Sequence, residues 1–401
     1  TSENEMASLE EFLLQPESLS TIMELADRTE YMMEQVRERL LAPQGEKESP
    51  RFNATQLSAL CEVDRSTITY RMSKDDLPKG QKNSSGSRRE FNLQEVRDWV
   101  REYRANFLKP DGADAVVISV ANFKGGVGKT TTTQTLAQGL SLKGHKVLVI
   151  DTDPQGSLTT LFGVLPATEV FHDDTILPVC DGKETSLTPA IHTSYWDGID
   201  VIYAAPFLYG AEFSLPLQQM ETAKFEFWNV LNLALDEARL KYDIILIDTP
   251  PSLSYVTLNA IMASDGILMP LPPTAMAVAS ASQFWRLFCD LSGSLVKTRQ
   301  VTKEFDFVRI LMTQVKARGN DDTVAAVKDW IHKSYENRVL PAEIPETKAT
   351  ETSAASFGTI YDEVAKSLID PRTYKRAIAA YDQVCEQIES LVRAAWRRQQ
   401  V

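Results

Sequence analysis

Between Lys124 and Thr131 the chain reads K-G-G-V-G-K-T-T, a run suited to holding a polyanion. Gly125, Gly126 and Gly128, with Val127 between them, let the backbone curl until successive N–H groups point inward at phosphate oxygens. An apolar run, Ala115 to Ala121, precedes the loop, and a helical pattern from Thr131 to Leu142 follows it. The positive end of that helix would add to the same pocket. Lys129 can reach the β- and γ-phosphates and the Thr130 hydroxyl can ligate Mg²⁺, with Thr131 closing the cradle. The general phosphate-loop pattern G-x-x-x-x-G-K-[ST] fails at its first glycine, where Phe123 stands, and a second lysine, Lys124, enters the loop instead. A glycine-rich turn between strand and helix also occurs without any ligand, so the loop needs support from elsewhere.

Two further apolar runs give it. Lys146 to Gln155 carries Asp151 and Asp153 at its end, and Tyr242 to Pro251 carries Asp248. Unbroken apolar runs suit parallel strands buried on both faces, and ligands of such sheets sit outside the carboxyl ends of the strands. Each aspartate alone could be a helix N-cap. Together, three carboxylates beside a phosphate loop make a site for Mg²⁺ and an activated water. Further strands are expected near Asp200–Ala204, Gly266–Leu271 and Phe305–Thr313, and helices over Glu221–Leu240, Ala275–Leu291, Asp321–Ser334 and Arg372–Gln399. The fold class is α/β: a doubly wound P-loop NTPase domain over residues 114–401.

The three motifs together resemble the deviant-Walker ATPases of the MinD/ParA family. The resemblance implies ATP and ADP as ligands, Mg²⁺ held by Thr130 and, through waters, by Asp151 and Asp248, and Asp153 positioning the attacking water. It also implies a homodimer in which Lys124 crosses to the partner subunit's nucleotide, making Lys124, Lys129 and Asp153 the catalytic set. Phosphoryl transfer is mostly positioning and charge stabilisation, so a cation supplied in trans is chemically reasonable. Ile344-Pro345 and Ala355–Gly358 resemble the family's segment near the nucleotide base, which puts Pro345 in the nucleotide site. The chain departs from the family at Glu346, where a basic residue is common.

The charge distribution points to a second function. The chain carries −13 overall: −8 in residues 1–50, +4 in residues 51–110 and −9 in the remainder. Only the middle segment is positive, so it is the place to look for a phosphate-backbone contact. Asn53-Ala-Thr-Gln56 reads as a capping box opening a helix to Cys61, with a turn at Glu62-Val63. Asp64 is then placed to cap a second helix, Arg65 to Met72. Leu57, Leu60, Ile68 and Met72 would face inward. Arg65, Ser66, Thr67, Thr69, Tyr70 and Arg71 would face a DNA major groove. Lys79, Lys82, Arg88 and Arg89 lie in a basic loop before Glu90-Phe91, and Asn92 to Glu95 caps another helix. This is the pattern of a winged helix-turn-helix over residues 50–108; the alternative is a small helical domain with a solvated basic loop.

Residues 1–45 read as a helical arm. Its stripe of Ile22, Leu25, Thr29, Met32, Val36 and Leu40 suits a dimerising seam, or else a helix docked on its own domain. Pro43–Pro50 reads as a linker and Lys109–Ala113 as the boundary before the NTPase domain. The four cysteines are widely spaced, which argues against a disulfide framework and fits a reduced cytoplasm; Cys180 and Cys289 read as small core residues. No apolar run approaches the ~20 residues of a membrane span, and no signal peptide is evident. In the last helix, Ile378, Tyr381, Val384, Ile388, Leu391 and Trp396 share a side, while Asp382, Glu386 and Glu389 sit where an anionic bilayer would repel them.

Two functional classes follow. In the first, the chain resembles large ParA-type plasmid or prophage partition ATPases. That resemblance implies nucleoid-associated binding of nonspecific DNA, hydrolysis stimulated by a ParB-type centromere-binding protein, and repression of its own operon at operator DNA. Lys348, Lys375 and Arg376 are candidates for the nonspecific contact by charge and position. The second class is a MinD-like membrane-cycling positioning ATPase, and a nucleotide-regulated repressor alone shares all the same motifs.

Overall fold

The computed structural model describes residues 16–41, 47–316, 322–347, 358–363 and 365–401. Lys348, Ala355 to Phe357, the first half of the linker and the start of the arm lie outside them. The chain divides into two units, residues 1–47 and 48–401. In the first, Leu19–Leu41 forms helix α1, on which Ile22, Leu25, Thr29 and Met32 are all exposed. The side chains of Val36 and Leu40 lie outside the described residues.

The second unit begins with the basic segment. Strand β1 (Phe52–Asn53) leads into α2 (Ala54–Cys61), opened by the expected capping box: Asn53 Oδ1 accepts from Gln56 N and Gln56 Oε1 from Asn53 N, both at 2.9 Å. Glu62 takes a left-handed conformation, φ 59°, and turns the chain into α3 (Arg65–Met72). Asp64 occupies the cap position of α3 but makes no side-chain capping bond, contrary to expectation. Leu57 and Ile68 are fully buried and Leu60 and Met72 partly so, which fixes the crossing of the two helices. A hairpin of β2 (Gln81–Lys82) and β3 (Arg89–Phe91) follows and joins β1 in a three-stranded sheet. Helix α4 (Leu93–Tyr103) then buries Leu93, Val96, Trp99 and Val100.

The larger sheet has eight strands: β4 (Val116–Val120), β5 (Val147–Asp151), β6 (His192–Thr193), β7 (Ile199–Ile202), β8 (Ile244–Asp248), β9 (Gly266–Leu271), β10 (Phe307–Val315) and β11 (Val339–Pro345). Their spatial order is β11-β10-β9-β4-β8-β5-β7-β6, and every neighbouring pair is parallel except the antiparallel edge β6–β7. Strands β4, β5 and β8 are buried along their whole length, as two covered faces require. Helix α5 (Lys129–Leu142) follows the phosphate loop and is almost wholly buried.

Two expectations are corrected. The predicted helix Glu221–Leu240 is instead a helix over Ala211–Glu221, a turn region, and two short helices at Val230–Ala234 and Asp236–Lys241. Cys289 is exposed on the helix Ala275–Arg299, whereas Cys180 is buried as expected.

Candidate phosphate-binding site

Strand pairing brings the site together. In the register of β5 and β8, Asp151 lies opposite Asp248, and Val120, the last residue of β4, lies opposite Asp248 on the other side. The phosphate loop leaves β4 at that point. Gly126 and Gly128 adopt φ of 71° and 89°, left-handed angles that favour glycine, and Gly128 sits at the N-cap of α5. Asn122 orients the entry: its side chain donates to Pro270 O at 2.8 Å and accepts from Lys124 N at 3.2 Å.

A cleft of about 420 Å³ opens over this loop. Gly125, Gly126, Gly128, Lys129, Thr130, Thr131, Asp153 and Gln314 are among its lining residues, while Val127 is buried beneath it. Lys129 is buried and donates to Lys124 O at 3.0 Å. Burial pushes its ammonium pKa down, against the opposing pull of Asp248 and Asp153. The Lys124 ammonium is only partly buried and has no ion pair among the described residues.

The three aspartates differ in what they hold. Thr130 Oγ1 donates to Asp248 Oδ2 at 2.8 Å, while Asp248 Oδ1 is buried with no hydrogen-bond partner among the described residues. Burial, then the neighbouring Asp151, raises the Asp248 carboxyl well above its ordinary value. Asp151 is fully engaged: Oδ2 accepts from Thr159 N at 2.9 Å and Thr159 Oγ1 at 2.8 Å, and Oδ1 from Asp153 N at 3.1 Å. Burial raises its pKa too. Asp153 is half-exposed and its Oδ1 accepts from Gln155 N at 3.0 Å.

No group of three or more acidic, histidine or cysteine side chains forms a metal cage among the described residues. Mg²⁺ is commonly held by one or two carboxylates plus substrate phosphates. The unpaired Asp248 oxygen beside the Thr130 hydroxyl fits that arrangement.

Two residues of the site escaped the sequence reading. Thr313 Oγ1 donates to Val127 O at 2.8 Å, and Gln314, at φ 53°, donates its side-chain amide to Gly126 O. They fasten the loop to the carboxyl end of β10. Their place at the end of the expected strand, Thr313 its last residue and Gln314 the next, was the available signal. Pro345 ends β11 and lines a separate cavity of about 360 Å³ with Lys316 and Arg376.

The basic segment is only partly free. Arg65, Ser66, Thr69 and Tyr70 are exposed on α3, Thr67 is half-buried, and Lys82 and Arg88 are exposed on the hairpin. Arg71 is ion-paired within the segment, its guanidinium binding Asp76 at 2.7 Å and Glu102 at 3.0 Å. Lys79 pairs with Asp75, and Arg89 donates to Lys79 O at 2.6 Å. Lys375 and Arg376 are exposed at the start of the last helix, α6 (Pro371–Gln399).

Residues 115–308 match a family model described as an AAA domain. A chromosome partitioning protein ParA of Caulobacter vibrioides is 32% identical over 244 residues, 60% of this chain and 84% of that one. The chain belongs to the ParA family. A putative replication protein A of Rhizobium rhizogenes is 29% identical over 373 residues, covering 90% of this chain and 91% of its own. The likeness to that relative therefore extends beyond the residues that the family model matches. A solved cobyrinic acid a,c-diamide synthase of Mycobacterium smegmatis, with bound ATP analogue and magnesium, superposes with TM-score 0.51 at 26% identity, covering 68% of this chain and 93% of that one.

Proposed function

We propose that the chain binds ATP and ADP with Mg²⁺ in the cleft over Gly125–Thr131, hydrolyses ATP as a homodimer, and uses that cycle to segregate the replicon that encodes it. The observation that carries this reading is the buried, unpaired Asp248 oxygen beside the Thr130 hydroxyl, Thr130 itself lining the cleft over the glycine cradle. Membership of the ParA family and the ATP analogue and magnesium of the Mycobacterium synthase support it.

The backbone N–H groups of the loop donate to phosphate oxygens, and Lys129 neutralises their charge. Thr130 and Asp248 hold Mg²⁺, and Asp151 keeps Asp153 in place through the bond to its amide. Magnesium, when bound, supplies charge neutralisation at the β- and γ-phosphates. Asp153 orients the attacking water, and Pro345 stands near the base. Lys124 reaches the partner subunit's phosphates, so turnover depends on dimerisation. The exposed stripe of α1 pairs with a second copy and reinforces the dimer.

Arg65, Ser66, Thr67, Thr69 and Tyr70 read operator DNA, with Lys82 and Arg88 of the hairpin on its backbone. Arg71, Lys79 and Arg89 serve mainly to shape that surface. Lys375 and Arg376 contact nonspecific DNA, and a ParB-type centromere-binding protein stimulates release. A membrane-cycling role is disfavoured by α6, whose Tyr381, Val384, Ile388 and Trp396 are buried within the protein and not offered to a bilayer. Among the described residues no helix is long and apolar enough to cross a membrane.

Deleting the gene from its replicon and scoring replicon loss tests the reading. Segregation activity predicts a sharp rise in loss; derepression of the operon with unchanged inheritance leaves only the repressor.

A further inference from the structure

The two ends of α5 carry different machinery. Its N-terminus forms the phosphate cradle. Its C-terminus, roughly 20 Å away, is gripped by three arginines. Arg97, Arg101 and Arg104 recur at four- and three-residue spacing, so they share one face of α4 and its extension. Arg97 Nε donates to Ser141 O at 3.1 Å and its Nη2 to His145 O at 2.8 Å. Arg101 donates to Gly144 O, and Arg104 Nη1 to Lys143 O at 2.8 Å. These carbonyls belong to the last turn of α5 and the turn beyond it, where unpaired acceptors and the negative dipole end collect.

Arg104 goes further. It is buried and binds Glu389 of α6 through two nitrogens, at 3.0 and 2.8 Å. Its Nε lies 3.8 Å from Glu62 Oε2, on the left-handed residue that turns α2 into α3. His145 Nε2 completes the cluster, 2.7 Å from Glu389 Oε1. Arg97 is packed as tightly: a Cβ at Gly198 would overlap its guanidinium. Arg97 adds a second ion pair from the basic segment to the NTPase part of the chain, its Nη1 lying 3.1 Å from Oδ2 of the partly exposed Asp197 just before β7.

We propose that this clamp relays nucleotide state to the helix-turn-helix: displacement of α5 when the loop takes up phosphate is passed through Arg97, Arg101 and Arg104 to α4 and the α2–α3 turn. The inference rests on the nucleotide reading of the loop. Three arginines on backbone carbonyls, Arg97 through two nitrogens and Arg101 and Arg104 through one each, backed by a buried carboxylate, leave the helix end little slack, so α5 and α4 move as one piece. By linkage, DNA bound at the helix-turn-helix shifts nucleotide affinity by the same factor by which nucleotide shifts the affinity for that DNA.

Hydrogen exchange of the full chain with and without Mg²⁺-ATP tests this, with a fluorescent ATP analogue reporting binding in the same samples. Wild type should change protection both at residues 122–135 and at residues 54–72. Arg101→Ala and Glu62→Gln each leave the buried Arg104–Glu389 pair intact, so they should fold and bind nucleotide as wild type does. In each, the change at residues 54–72 should fall to less than about half, as partial uncoupling requires. A wild-type change confined to residues 122–135, or variants that keep the full response at 54–72, overturns the relay while leaving the nucleotide site standing. No change at residues 122–135 and no analogue binding brings down the nucleotide reading itself, and the relay with it.

Discussion

Asp151 and Asp248 face each other at the carboxyl ends of adjacent parallel strands, yet only Asp248 of the two keeps a carboxylate oxygen unpartnered among the described residues. Identical side chains at matching register positions have been given different work. Thr159 and the Asp153 amide engage both oxygens of Asp151, which ties it to the loop carrying Asp153. Asp248, sharing an oxygen with Thr130, is left with the capacity to face a cation.

Asp248→Asn should therefore separate nucleotide binding from its metal dependence. The substitution keeps the shape and an acceptor for Thr130 but removes the charge. Calorimetric titration with ATP should show that Mg²⁺ strengthens binding to wild type by about tenfold or more, the scale of one charge-assisted contact, and does little for the variant. Equal enhancement in both proteins would remove Asp248 from the metal site.

Lys124→Ala addresses the second lysine. Lys124 is only partly buried and lacks an ion pair among the described residues, so its loss should leave folding and most nucleotide affinity intact. Phosphate release in the presence of DNA and partner should fall by roughly 10³-fold, the lower end of what a cation supplied in trans contributes. Normal stimulated turnover would rule out the trans role.

The hairpin gives a prediction about DNA. Arg89 is tied to Lys79 O, whereas Lys82 and Arg88 are exposed. Replacing Lys82 and Arg88 together by alanine should weaken operator binding and flatten the logarithmic salt dependence by about one unit for each DNA phosphate that is no longer neutralised. A slope identical to that of wild type would take the hairpin out of the interface.

Glu389 sets a pH dependence of stability. Burial alone would raise its carboxyl, but hydrogen bonds from His145 and Arg104 hold it down, from 4.5 to about 2. A depressed carboxylate contributes stability above its unfolded pKa and loses it as pH falls through the folded one. The window is thus about 4.5 down to about 2. Lys143 and Asp243 also border the cluster. Thermal melts should show Glu389→Gln less stable than wild type near neutral pH, by roughly 3 kcal/mol for a broken buried pair. The gap should narrow as the solution is acidified through the window. A constant gap would mean that the Glu389 charge contributes nothing to the fold.

The sheet was legible in the sequence because burial on both faces writes unbroken apolar runs. Gly266–Leu271 was expected at the bounds it adopts, and the three strands ending at the loop, Asp151 and Asp248 lie inside the expected runs, two of which extend three or four residues past the strand ends. Strand β11 was not anticipated, since Pro341 and Glu343 interrupt its apolar pattern; as an edge strand it needs only one hydrogen-bonded neighbour and tolerates a proline. Helix Ala211–Glu221 was missed for a related reason, because Pro216 reads as a breaker and here sits inside the helix.

Within the site, the glycines, lysines and aspartates announce themselves by type and spacing. Gln314 and Thr313 do not, being polar residues at the end of a strand nearly two hundred positions away that reach the loop only through sheet order. Arg97, Arg101 and Arg104 are a harder case. Their spacing is that of any solvated charged helix face, and only the approach of α5 reveals that they are buried or half-buried on its carbonyls. Arg71 illustrates the converse, since a basic residue on the expected recognition face spends its charge on Asp76 and Glu102.

The central claim is that the loop around Gly128 grips a nucleoside triphosphate for hydrolysis. Phosphate release from Mg²⁺-ATP by the purified full chain, set beside its Lys129→Ala variant, tests it most directly. The account predicts slow turnover by wild type that requires Mg²⁺ and disappears in the variant; turnover that survives the loss of Lys129, or none in wild type even with DNA and partner added, would contradict it.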